Sequence, residues 1–215
     1  MLQSKLIKIT TFFFLFALSL NLFSSEQITK ENLFEYLNEK QFLNTKFIQI
    51  TSKNLKERVA RGSLMATRTG KFKIEYLDPI REVISADKSF LYKLDLELDQ
   101  MDVVPREDYF NNTPVSIFIE QLDGMKNLYS VDSCIKDEET IMCSIKPNDD
   151  ESFVSMLFLE FLKNDLISLR YQDSFGQTVK LKFEDLSWKP FSESELLISI
   201  PEGIDVVYHL SLIHI

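Results

Sequence analysis

Histidine is almost missing from this chain of 215 residues; the two that occur are His209 and His214. Nucleophilic catalysis that relies on a Ser-His-Asp or Cys-His arrangement therefore has no plausible base in the body of the chain. The same scarcity leaves no His/Cys spacing suited to a metal. Glycine is also rare, at 5 residues, which leaves little material for a glycine-rich phosphate loop. Positive charge falls short of negative, with 24 Lys and Arg against 33 Asp and Glu and a net charge of −9. Without a basic surface to neutralise phosphates, nucleic acid is excluded as the expected partner. Carboxylates are plentiful, but they alternate with apolar residues as on a solvated sheet face. No motif points to an enzyme or a cofactor, so the expectation is a binding protein with neither.

Apolar residues make up 45% of the chain, enough for one sizeable core, and 18 Phe dominate the aromatics over 7 Tyr and one Trp. The first residues look like a targeting segment. Lys5 and Lys8 precede a mostly apolar stretch from Ile9 to Phe23, which turns polar at Ser24-Ser25-Glu26. This predicts a secretory signal peptide over residues 1–25 and hence an exported protein. Its removal takes two lysines and no acid, leaving −11. With no Cys near the expected cleavage site, the mature protein is not expected to carry lipid itself. Cys134 and Cys143 are the two cysteines, and in an exported protein they are expected to pair across the Lys136-Asp137-Glu138-Glu139 turn.

The hydrophobic periods give a coarse architecture. Thr29 to about Asn44 reads as a helix with Leu33, Phe34, Leu37 and Phe42 on one face. Period-two strands follow at Leu64–Arg68, Phe72–Tyr76, Arg81–Ser85 and Phe90–Leu98. Thr113-Pro114 is a helix-start signal, with Ile117, Phe118, Gln121 and Leu122 on one side. Tyr129–Ile135, Thr140–Ile145, Phe153–Leu162, Ile167–Tyr171, Thr178–Phe183 and Glu195–Ile200 read as further strands, with a tight turn at Asp173–Gly176. About ten strands and two or three helices predict a mainly β domain with helices. So many antiparallel strands must close or curl to hide their edges. One cation is out of place: Arg68 shares the apolar parity of Leu64 and Ala66, where an unpartnered charge is costly.

The stretch Arg61-Gly62-Ser63-Leu64-Met65-Ala66-Thr67-Arg68-Thr69-Gly70-Lys71-Phe72-Lys73-Ile74-Glu75-Tyr76 resembles the signature of the LolA family of outer-membrane lipoprotein carriers. Five more pieces occur in the family's order: Phe47-Ile48-Gln49, Asp78-Pro79 with Ser85-Ala86-Asp87, Asn112-Thr113-Pro114, Asp173-Ser174-Phe175-Gly176-Gln177, and Pro201-Glu202-Gly203-Ile204-Asp205-Val206. The likeness spans residues 28 to 208. It departs at Thr69, where the family usually has Pro. It predicts a carrier domain over residues 26–208 and leaves 209–215 as a tail of doubtful authenticity, Leu210–Ile215 reading like an out-of-frame translation.

The resemblance implies an incomplete antiparallel β-barrel closed by a helical lid. It implies acyl chains of lipoproteins as cargo, an inner-membrane LolCDE transporter as donor and the outer-membrane receptor LolB as acceptor, with the carrier itself a monomer. A general lipid- or glycolipid-binding module on the same fold is the alternative. Under the resemblance Arg68 is the residue that locks the lid, and Phe72 engages the transporter at the cavity rim. The expected acyl-chain lining is Phe47, Leu64, Ala66, Ile74, Tyr76, Phe90, Tyr92 and Leu94.

Overall fold

The computed structural model describes residues 27–106, 113–150 and 152–209. The expected signal peptide, Asn112 of the family motif and residues 210–215 lie outside the described residues. A short helix α1 (Leu33–Glu39) opens the fold. Six strands follow: β1 (Phe42–Lys53), β2 (Lys56–Thr67), β3 (Lys71–Asp78), β4 (Glu82–Ala86), β5 (Phe90–Asp95) and β6 (Gln100–Pro105). Helices α2 (Ser116–Ile119) and α3 (Leu122–Leu128) come next. Then the chain returns to strands: β7 (Tyr129–Asp137), β8 (Thr140–Pro147), β9 (Val154–Leu162), β10 (Asp165–Asp173), β11 (Thr178–Ser187) and β12 (Asp205–Tyr208).

The twelve strands of the described residues form one sheet in the order β12-β6-β5-β4-β3-β2-β1-β11-β10-β9-β8-β7. Within each of the runs β1 to β6 and β7 to β11 consecutive strands pair antiparallel, as short turns require, and β1 joins the two runs by pairing with β11. Among the described residues only β12, which arrives by a long connection, runs parallel to its neighbour β6. The sheet ends at β12 and β7 and does not close on itself. Its inner face is buried against the helices in one core that contains Leu43, Phe47, Leu64, Phe72, Ile145, Leu157, Phe161 and Leu169. A second, smaller core of Val83, Leu94, Met101 and Val103 lies apart, joined by Phe90, Tyr92, Ile198, Ile204 and Val206.

Gly62 lets the strong curl form between β1 and β3. It lies between Phe47 and Tyr76 in the register, and those two rings meet edge to face across it at 5.5 Å. A Cβ on Gly62 would run into the Glu75 carbonyl oxygen and the Phe47 ring. The glycine's missing side chain is filled by two aromatic neighbours, a familiar way to stabilise a bend in a sheet.

Three expectations need correction. The first helix stops at Glu39 rather than running to Asn44, because β2 offers Phe42 and its successors a full antiparallel partner, Phe42 opposite Thr67. The alternating run at Phe90–Leu98 breaks after Asp95: the Asp95 side chain accepts hydrogen bonds from the Glu97 and Leu98 amides, and Asp99 takes a positive φ of 52°. The expected strand at Glu195–Ile200 is a 3-10 turn over Glu193–Leu196 instead, started by a capping box between Ser192 and Glu195. The ambiguous apolar run after Phe153 is strand β9, and the cysteine hairpin is β7–β8.

Candidate functional site

An apolar cavity of about 240 Å³ lies between the inner face of the sheet and α2. Its wall alternates as strands must. Leu64 comes from β2, Phe72, Ile74 and Tyr76 from β3, Ile84 from β4 and Leu91 from β5. Leu169 and Tyr171 of β10 and Leu181 of β11 complete the far side, and Val115 and Phe118 cover it. Phe118 also packs edge to face on Phe183 of β11 at 6.1 Å, so α2 touches both halves of the sheet.

Arg68 follows directly on the last residue of β2, with 3% of its surface exposed. Its Nε donates to the Lys40 carbonyl at 3.2 Å and its Nη2 to the Leu37 carbonyl at 2.8 Å. Its Nη1 donates to the Ile117 and Glu120 carbonyls, both at 2.7 Å. These four acceptors are the carbonyls at the C-terminal ends of α1 and α2. The last carbonyls of a helix lack the regular partner of its interior and carry its partial negative charge; here the Leu37 carbonyl also accepts from the Lys40 amide at 3.1 Å. One planar cation thus caps two helices at once, which Lys could not do with its single point charge. Burial pushes the Arg68 pKa down to about 10, with Glu120 opposing, so the group remains a cation at neutral pH.

The helices are tied to one another as well. Asn38 Oδ1 accepts from the Leu122 amide at 3.0 Å, capping α3 from α1. Lys126 and Glu35 form an ion pair between α3 and α1 at 2.7 Å. Arg106 Nη1 donates to the Gly70 carbonyl at 2.5 Å and the Asp87 carbonyl at 2.7 Å, and its Nη2 lies 3.8 Å from Glu120 Oε1. The sequence reading missed Arg106. Its signal was available only as an isolated cation after a strand, which is ordinary on a surface.

The other expected residues divide. Leu64, Ile74 and Tyr76 line the cavity, while Phe47 and Ala66 are buried in the core beside it. Phe72 lines the cavity too, but at 2% exposure it is a wall residue and not an exposed rim. Phe90, Tyr92 and Leu94 are not brought to the cavity. They face the opposite side of β5, where the second core covers them with Ile198, Ile204 and Val206. The inward residue of β5 is Leu91. Both faces of that strand are covered, so apolar alternation identified a buried face without showing which one it was. Cys134 and Cys143 are directly opposite in the β7–β8 register and joined by a disulfide.

The comparisons with known proteins agree with one another. Residues 38–195 match the family model described as outer membrane lipoprotein carrier protein LolA. An outer-membrane lipoprotein carrier protein of Chromohalobacter salexigens is 30% identical over 149 residues, covering 69% of this chain and 70% of the relative. Another from Legionella pneumophila strain Lens is 28% identical over 199 residues, covering 90% of this chain and 98% of the relative. Among solved structures, an uncharacterized conserved protein of Thermus thermophilus superposes with a TM-score of 0.54 at 11% identity, over 83% of this chain and 98% of that one, a likeness of fold alone. An open, mainly β sheet curled around an apolar cavity, with the family's sequence running through it, makes this chain a member of the LolA family of outer-membrane lipoprotein carriers.

Proposed function

We propose that this protein is a periplasmic, monomeric carrier that takes lipoproteins from a LolCDE-type inner-membrane transporter and hands them to a LolB-type receptor. It shields their acyl chains in the cavity beneath α2. Acyl chains cannot cross water unaided, since each exposed methylene costs roughly 0.8 kcal/mol. Support for the reading comes chiefly from Arg68, whose four hydrogen bonds hold both helices against an apolar space. That space is about 240 Å³, smaller than the roughly 300–1,000 Å³ of ordinary ligand sites. Loading thus requires the helices to move, and the Arg68 bonds are what loading has to break. Release is the reverse: re-forming those bonds favours the empty, closed state and expels cargo. Nothing in this cycle calls for a catalytic group.

Arg68→Leu tests the reading. Without the cation the open, loaded state gains about 1–3 kcal/mol, the range for a lost charged hydrogen bond. Lipoprotein should accumulate on the purified variant and fail to pass to the receptor. Mass spectrometry of the bound material should show peptide-linked acyl chains. Wild-type loading with normal transfer removes Arg68 from this role, and free phospholipid as the bound species overturns the lipoprotein assignment.

A further inference from the structure

The cavity is apolar except at one end. There the Tyr76 hydroxyl donates to Gln49 Oε1 at 3.0 Å, and Gln49 Nε2 donates to Thr51 Oγ1 at 3.2 Å. Tyr171 lines the same cavity. Gln49 and Tyr76 also line a second, more polar groove of about 330 Å³, shared with Thr51, Arg58, Ile80 and Gln177. This groove lies at the strand ends opposite Arg68, beside the β1–β2 and β3–β4 turns. The Tyr76–Gln49 pair therefore lies between a hydrocarbon-like chamber and a more polar groove. A further polar atom belongs to the chamber: Thr113 Oγ1 is buried and has no hydrogen-bond partner among the described residues.

Resting on the carrier reading above, we infer that this boundary is a binding site for the carbonyl groups of an acyl-glyceryl anchor, with the linked peptide leaving through the outer groove. The chemistry is complementary. An acylated glycerol presents hydrocarbon on one side, a tier of ester carbonyl acceptors next, and a polar chain beyond. The protein presents an apolar chamber, then phenol and amide donors, then a polar groove in the same order. Each phenol remains a donor at physiological pH. Burial pushes the Tyr76 hydroxyl well above its ordinary value, with smaller contributions from Tyr171 and Glu82, and burial raises Tyr171 to about 12. In the empty protein the Tyr76 proton is already held by Gln49, whereas the Tyr171 hydroxyl has no hydrogen-bond partner among the described residues; a donor left without an acceptor is penalised, so Tyr171 is the group that discriminates against chains that lack the carbonyl.

The test compares two synthetic lipopeptides of equal chain length. One carries an S-diacylglyceryl cysteine with ester links; in the other the two links are ethers. Delipidated wild-type protein should bind the ester form about 3- to 10-fold more tightly than the ether form. Tyr76→Phe combined with Tyr171→Phe should abolish that preference. A thermal melt of the variant confirms that it folds, and the wild-type ester-to-ether ratio stands without it. Equal wild-type affinity for the two lipopeptides overturns the inference and leaves the carrier reading intact, as does a folded double variant that keeps the preference. Failure of the wild-type protein to bind either lipopeptide overturns both.

Discussion

The two halves of the sheet are built from the same alternating pattern and end differently. On β8 and β9 the inward residues Ile141, Cys143, Ile145, Leu157, Leu159 and Phe161 have essentially no exposure and meet one another and α1 in a solid core. Tyr36 of α1 packs edge to face on Phe161 at 5.9 Å and donates to the Asn164 carbonyl at 2.6 Å, which fixes that helix to this half. On β2 to β5 the inward residues Leu64, Ile74, Ile84 and Leu91 face the cavity instead. What differs is the cover. The solid half has a helix packed directly on it; the other half is covered mainly by the four residues of α2, too few to fill the curl. For the proposed carrier cycle this division is an advantage, because the half that would open is not the half that supplies most of the dense packing.

Four measurements would break or sharpen that contrast. The largest effect should come from Phe72→Glu. A rim residue would tolerate it, but Phe72 is enclosed, and an unpaired buried carboxylate costs several kcal/mol. The variant should lose its cooperative thermal transition, and a folded variant would place Phe72 outside the wall described here.

Next, Leu157→Ala in the solid half should lower unfolding free energy by about 3–5 kcal/mol in urea titration. Ile74→Ala at the cavity should cost only about 1–2 kcal/mol, since fewer neighbours lose contact. Equal losses would erase the distinction between the halves.

The disulfide belongs to the solid half. Replacing Cys134 and Cys143 by Ser should cost about 2–3 kcal/mol, the range for so short a loop, with lipoprotein transfer unchanged. Impaired transfer in a folded double variant would show that the solid half takes part in opening.

The smallest effect separates the two faces of β5. Leu91→Ala should change the affinity of an apolar fluorescent probe by about 2- to 5-fold, whereas Leu94→Ala, on the outer core, should leave it unaltered at the cost of some stability. A probe affinity that follows Leu94 rather than Leu91 would reverse the assigned faces.

Much of the molecule could be read from local chemistry. Strict alternation exposed β3 and β4, the cysteine spacing marked the β7–β8 hairpin, and Thr69-Gly70 marked a turn in which Gly70 takes a φ of +88°. Arg68 drew attention because a guanidinium on an apolar face needs partners. Other features were out of reach for a definite reason. The Ser192–Glu195 capping box competes with a strand pattern of equal appearance, and a one-dimensional period cannot rank the two. The length of α1 depends on whether β2 is present to pair with Phe42.

By itself, then, the sequence determined the fold class, the inward parity of β2 and β3, the cysteine pair and the presence of a cation that had to be satisfied inside. Alternation, turn chemistry and desolvation are properties of neighbours along the chain. Only the tertiary structure decided what satisfied Arg68, which face of β5 met the cavity, and that Arg106 and Glu120 would approach each other. Those outcomes rest on carbonyls, strands and carboxylates tens of residues away, and their positions are set by how far the sheet curls before the helices stop it.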